Sequence, residues 1–143
     1  VITRLILVCA SLLAVAHVAR ADDLAPGLWE LSLEAKVEAD PGFQTGPLTV
    51  NQCVTKNETS DMSKVLAPIT TAGASNCSFS EKSYVGDTFR FTMQCAGTLQ
   101  LKTTGEVTFS ATAMHGTITT SSTIDGKSVE FTSAISGHRL GDC

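Results

Sequence analysis

Hydrophobic and polar residues alternate with a period of two through most of the chain beyond residue 27. Between Leu28 and Val37, Trp29, Leu31, Leu33, Ala35 and Val37 fall on one face, and Glu30, Ser32, Glu34 and Lys36 on the other. That pattern predicts a strand with one buried face. Pro41-Gly42 and Gly46-Pro47 mark a turn region, and Leu48 to Val54 follows as a second, shorter strand. Residues 55–68 carry the chain's helical spacing: Thr55 or Asn57 as cap, Glu58 in the first turn, and Met62, Val65 and Leu66 as an apolar face before Pro68. The stretch 69–75 (ITTAGAS) reads as an exposed loop.

From Asn76 onward the alternation predicts a meander of hairpins. Cys77 and Phe79 alternate with polar residues, as do Phe89, Phe91, Met93 and Cys95. A loop at Val85-Gly86-Asp87 sets Tyr84 opposite Thr88 and Cys77 opposite Cys95; a two-residue Gly86-Asp87 turn needs a bulge to restore that pairing. Asp125-Gly126 fits a type I′ turn, which places Ile124 opposite Lys127, Thr120 opposite Phe131 and Ile118 opposite Ser133. The inner face then holds Ile118, Ile124, Val129, Phe131 and Ile135, and the wet face Thr117, Thr119, Ser121, Thr123, Glu130 and Thr132. A turn at Ala111-Thr112 brings Phe109 beside Met114, because a slip by one residue would reverse every side chain. Residues 98–103 form another short strand, with Gly97 and Gly105 as bend points. About seven antiparallel strands and one short helix predict an all-β fold, a meander curled into a barrel or half-barrel with the helix plugging an opening. A two-sheet β-sandwich is the alternative.

The N-terminal segment follows a different rule. Arg4 precedes an apolar run from Leu5 to Val18, and Ala19-Arg20-Ala21 supplies the small residues of a cleavage site after Ala21. This is the layout of a secretory signal peptide over residues 1–21, and the run is too short for a membrane span of about 20 apolar residues. Residues 22–143 are then a single domain, expected in the periplasm and without a transmembrane helix once the leader is cut. Cys9 leaves with the leader.

Composition changes once the leader is set aside. The full chain is 43% hydrophobic with a net charge of −4; without Arg4 and Arg20, eight basic residues face 14 acidic ones, a charge of −6. No basic block is present, which argues against a surface tracking nucleic-acid phosphates. Four cysteines remain, Cys53, Cys77, Cys95 and Cys143, and an even count in an exported chain implies disulfides. The facing positions on the ladder favour Cys77 with Cys95, leaving Cys53 with Cys143, while the other two pairings stay open.

Candidate chemistry is sparse. There is no CxxC pair, no GxSxG, no phosphate-cradling glycine loop and no calcium-loop pattern. His115 and His138, with Asp142, lack the close ligand spacing of a zinc site. Glu30, Glu34 and Glu38 read as an acidic stripe that protects an edge strand. No metal, no cofactor and no catalytic residue is assigned, and the chain is not expected to be an enzyme. Trp29, Phe79, Phe89, Phe91, Phe109 and Phe131 point inward, as core or as the lining of a cavity for an apolar, lipid-like ligand. The leading expectation is therefore a non-catalytic binding module for such a ligand. Its alternative is an envelope structural or protein-interaction module with a filled core, and a small hydrolase is the remote third.

Five segments occur in a familiar order: Pro26-Gly27-Leu28-Trp29-Glu30, Gln52-Cys53-Val54-Thr55, Met93-Gln94-Cys95, Gly105-Glu106-Val107-Thr108-Phe109 and Gly137-His138-Arg139-Leu140-Gly141-Asp142-Cys143. Together they resemble a family of small exported proteobacterial proteins, domain of unknown function 3617, across the whole chain after the leader. The resemblance implies a periplasmic, cysteine-bearing β domain and brings no established activity or catalytic residues.

Overall fold

The computed structural model describes residues 23–36, 46–97 and 100–143. The expected leader with its cleavage site and Cys9, the expected end of the first strand at Val37, Glu38 and the expected Pro41-Gly42 turn lie outside the described residues. The elements in chain order are β1 (Gly27–Lys36), β2 (Leu48–Val54), α1 (Met62–Thr70), β3 (Cys77–Val85), β4 (Thr88–Ala96), β5 (Gln100–Phe109), β6 (Ala113–Ile124) and β7 (Lys127–Gly141). All seven strands belong to one sheet in the order β2-β1-β7-β6-β5-β4-β3, and every neighbouring pair is antiparallel. The second sheet of a sandwich is not formed. The sheet stays open, a curled meander or half-barrel whose edges are β2 and β3.

The meander runs without interruption from β3 to β7, and the β1–β2 hairpin joins it through β1 against β7. Asp125 and Gly126 both have positive φ, 51° and 74°, as a type I′ turn requires, and Ile124↔Lys127, Thr120↔Phe131 and Ile118↔Ser133 are in register. Phe109 faces Met114 across the β5–β6 hairpin.

The β3–β4 hairpin takes the tighter of its two turns. Val85 pairs with Thr88, so Tyr84 faces Phe89 and not Thr88, and an irregularity between Phe79 and Glu81 restores Cys77↔Cys95. The bulge keeps both ends of β3 facing inward: Phe79 opposite Met93, and Lys82 and Tyr84 opposite Phe91 and Phe89.

Several other elements differ from the pattern-based expectation. The helix begins at Met62 with Asp61 as its cap, not at Thr55 or Asn57, and Pro68 lies inside it. Residues 56–60 form turns, with the Glu58 carboxylate accepting from the Thr55 N–H and hydroxyl at 2.8 and 2.7 Å. Pro68 is exposed, so the carbonyl one turn back that loses its N–H partner can turn to water. Ile69 continues the apolar face and is buried, so it does not belong to an exposed loop. Strand β5 continues past residue 103 to Phe109, keeping its register with β4 and β6 through Gly105. The Phe91 ring occupies the space that a Cβ at Gly105 would fill. Finally, β1 is flanked by β2 and β7, so Glu30 and Glu34 do not protect a sheet edge.

The core gathers on the concave side. Trp29, Leu31, Phe89, Phe91, Met93 and Val107 pack with Met114, Ile118 and Ile135, and Met62, Val65, Leu66 and Ile69 of α1 belong to the same cluster. Helix α1 also ties the two edges together. Gln52 Nε2 on β2 donates to the Val65 carbonyl at 2.7 Å. On the β3 side, Met62 N–H donates to Tyr84 Oη at 3.0 Å, and Lys82 Nζ donates to Ser63 Oγ at 3.3 Å beside Asp61 at 3.5 Å. One short helix can reach strands from opposite ends of the sheet only because the sheet curls.

Candidate functional site

The inward residues divide the concave face into two regions. In the first, the β4–β7 rows carry Phe89, Val107 and Ile135, then Phe109 and Met114, and all of these are buried. In the second, towards the β6–β7 turn, the inward positions become Leu101, Thr103, Thr120 and Ser122. On the outer face of the same strands an open cavity of about 410 Å³ lies among the ends of β4 and β6 and the starts of β5 and β7. Gln94, Gln100, Lys102, Ser121 and Ser128 supply its polar groups.

Ser122 enters that lining only as part of β6, because its side chain is turned to the concave face. It is buried, and its Oγ has no hydrogen-bond partner among the described residues. Its neighbours on the same face differ, since the Thr103 and Thr120 hydroxyls bond each other at 3.1 Å. Sequence reasoning passed over Ser122. The signal was present, because the inward positions between Ile118 and Ile124 are filled by Thr120 and Ser122, two hydroxyls in a row that otherwise demands apolar residues.

The aromatic residues assigned to a lining sit elsewhere. Trp29, Phe89, Phe91 and Phe109 are buried in the core cluster, and Phe79 is half-buried against it. Phe131 is half-buried on β7. Ring contacts link Phe79 to Phe91 at 5.4 Å, Phe91 to Phe89 at 5.5 Å and Phe89 to Tyr84 at 4.9 Å. None of the six lines the outer-face cavity.

The ionisable groups are mostly on the wet face or at the helix start. His138 Nε2 stands 3.8 Å from Glu30 Oε1, outside hydrogen-bond reach, with both side chains well exposed. His115 lies opposite Thr108 and Ser136, and Asp142 pairs with Arg139. Among the described residues no three His, Cys, Asp or Glu side chains gather as metal ligands. The Ser63 hydroxyl, with a smaller contribution from Lys82, holds the Asp61 carboxyl below its usual range. Burial pushes the Tyr84 phenol up, partly offset by the Met62 N–H it accepts.

Sulfur bridges brace two corners. Cys53 is bonded to Cys143 and Cys77 to Cys95, with Cα atoms 5.8 and 3.9 Å apart. Such bonds fit an exported protein, and no helix of the described residues is long and apolar enough to cross a membrane.

A family model described as Protein of unknown function (DUF3617) matches residues 24–143. The chain belongs to the DUF3617 family. No curated protein and no solved structure matches it. The family description assigns no activity, so the roles of its motifs in this chain rest on geometry. Three of the five segments meet at one corner of the DUF3617 domain. Gly27 pairs with Val54 and Leu28 with Gly141. Arg139 faces Trp29 and its Nε donates to the Pro26 carbonyl at 2.8 Å, and Cys143 closes onto Cys53. Gly27 has φ +142°, and a Cβ there would collide with the Gly141 carbonyl and the Arg139 guanidinium. These motif residues lock the β1–β2 hairpin to the C-terminal strand, which is an architectural task.

Proposed function

We propose that this DUF3617 chain is an exported, periplasmic interaction module that acts without catalysis and takes an extended segment of an envelope protein along the free side of β2. The observation that carries this reading is the asymmetry of the two sheet edges. Strand β2 reads LTVNQCV, bears no charge and pairs with β1 without a bulge. Most of its residues are exposed or half-exposed. An uncharged, regular edge is a template for strand addition. Strand β3 carries Glu81 and Lys82 and is broken by a bulge, the features that discourage such pairing. The filled core around Phe89 and Phe91 supports a partner outside the fold over a ligand within it. The predicted leader and the two disulfides support export.

The test is a photo-crosslinking residue placed at Thr49 on β2 or at Ser83 on β3 in cells. A discrete adduct from the Thr49 site alone, lost when Asn51→Lys is added beside the crosslinker, is expected. No adduct at Thr49, or equal adducts from both sites, sinks the proposal.

A second reading keeps an apolar or lipid-like ligand among Trp29, Phe79, Phe89, Phe91, Phe109 and Phe131. The continuous ring contacts support it, and it requires α1 to leave the groove. Native mass spectrometry of protein purified from its own periplasm separates the readings. A co-purified acyl mass favours the ligand, and a bare oxidised chain favours the interaction module.

A further inference from the structure

We infer that the segment received by β2 alternates apolar and basic residues, so that one of its faces extends the core and the other reaches an acidic row on β1. The inference rests on the reading of β2 as a strand acceptor and gives the accepted strand its chemistry. Strands added to a sheet edge are held by main-chain hydrogen bonds and selected by the side chains beside alternate positions. On the concave side of β2 those positions are Leu48, Val50, Gln52 and Val54, opposite Leu33, Leu31, Trp29 and Gly27. Val54 is buried, and Gln52 is engaged with the Val65 carbonyl. Val50 and Leu33 are only partly buried against the core, and Leu48 is 43% exposed. Apolar residues beside Leu48 and Val50 complete that row and take its exposed surface out of water.

The outer side of β2 selects a different chemistry. Thr49 and Asn51 lie on that side, exposed and uncharged. Behind them on β1 stand Ser32 and Glu30 in register, with Glu34 one residue past the ladder. The Glu30 side chain is 38% exposed, and His138 faces it at 3.8 Å without a hydrogen bond. Arg139 is taken by Asp142, and Lys36 and Lys56 lie past the two ends of the β1–β2 ladder. The acids therefore present negative charge to a strand docked on β2. Two strand spacings, about 10 Å, separate such a strand from β1. A long lysine or arginine side chain crosses the short Thr49 and Asn51 side chains to meet Glu30 or Glu34. An acidic residue in the same place is repelled by those carboxylates.

The test is amide-shift NMR on the purified, oxidised protein, titrated with end-blocked heptapeptides in which valine alternates with lysine, with glutamate or with glutamine. All of them present the same apolar face. The lysine peptide should shift the β2 amides, Leu48–Val54, and bind about three- to tenfold more tightly than the glutamine peptide, the yield of a pair of exposed ion pairs. The glutamate peptide should bind weakest, and the preference should fade between about 20 and about 300 mM salt. Glu30→Gln/Glu34→Gln should erase the preference, and Glu130→Gln on β7, outside that row, should keep it. Equal affinity for all the peptides, a preference for glutamate, or a lysine preference that survives in Glu30→Gln/Glu34→Gln overturns the inference while leaving β2 as an acceptor. If no peptide shifts β2, or if the shifts fall on β3 instead, strand acceptance by β2 is overturned and this inference with it.

Discussion

The two regions of the concave face are built on the same strands and obey opposite rules. Where Phe89, Val107, Met114 and Ile135 point inward, the side chains interlock and α1 joins their cluster. A few residues along, Thr103 and Thr120 bond each other, and the Ser122 hydroxyl has no partner among the described residues. The first region gains stability from size and shape. The second gives up apolar burial to hold hydroxyls on the inner rows, where a hydrogen bond contributes less than a packed apolar side chain. The lesson is that the period-two pattern marks which face is inner without saying whether that face is filled.

The largest effect tests the packed region. Phe89→Ala should cost about 3–5 kcal/mol of unfolding free energy in urea melts. Thr120→Ala in the hydroxyl region should cost about 1 kcal/mol. Equal costs would break the contrast. Next come the corners. Removing Cys53–Cys143, which closes a separation of 90 residues, should lower stability by about 2–4 kcal/mol. Removing Cys77–Cys95, with a separation of 18, should cost less, because the shorter loop restricts the unfolded chain less; thermal melts of the two double-alanine variants compare them.

A smaller effect concerns the cap that joins α1 to β3. The carboxyl of Asp61 is held below its usual range by the Ser63 hydroxyl and Lys82. A depressed carboxyl contributes stability above its unfolded value and loses it as pH falls through the folded one. The melting temperature of the parent should therefore drop below about pH 4, and more steeply than that of Asp61→Asn. Parallel acid profiles would show that the cap does not carry the effect. The smallest change is Ser122→Ala, which removes a buried hydroxyl that lacks a partner. Its stability should be unchanged or higher by up to about 1 kcal/mol, and a clear loss in the melt would mean that the hydroxyl is bonded after all.

Much of the fold was legible because strands announce themselves by period and turns by residue type. Asp125-Gly126 demands positive φ at both turn positions, and that alone set the β6–β7 register through Ile118↔Ser133. The β3–β4 turn was less legible. Glycine at position 86 fits either loop length, and the bulge near Ser80 has no residue signature in KSY or SFS. Helix α1 was displaced for a similar reason. The Thr55 N–H and hydroxyl both donate to the Glu58 carboxylate, one half of a capping box, but in a turn that precedes the helix, and Asp61 caps the helix itself. The inner hydroxyl row was the least legible part. Ser122 is an ordinary serine on an inward row, and its importance comes from lacking a partner, which is a property of its surroundings.

The sequence by itself determined that this protein is a run of antiparallel hairpins with one helix, which face of each strand turns inward, and where the turns can form. Those features depend on neighbours a few residues apart. Only the tertiary structure decided that β1 docks on β7, that the sheet stays open, that α1 ties its two edges together, and that the Ser122 hydroxyl has no partner among the described residues. Each of these depends on groups distant in the chain, such as Gln52 with Val65, Tyr84 with Met62 and Arg139 with Pro26. Local pattern carries no record of who meets whom across those distances.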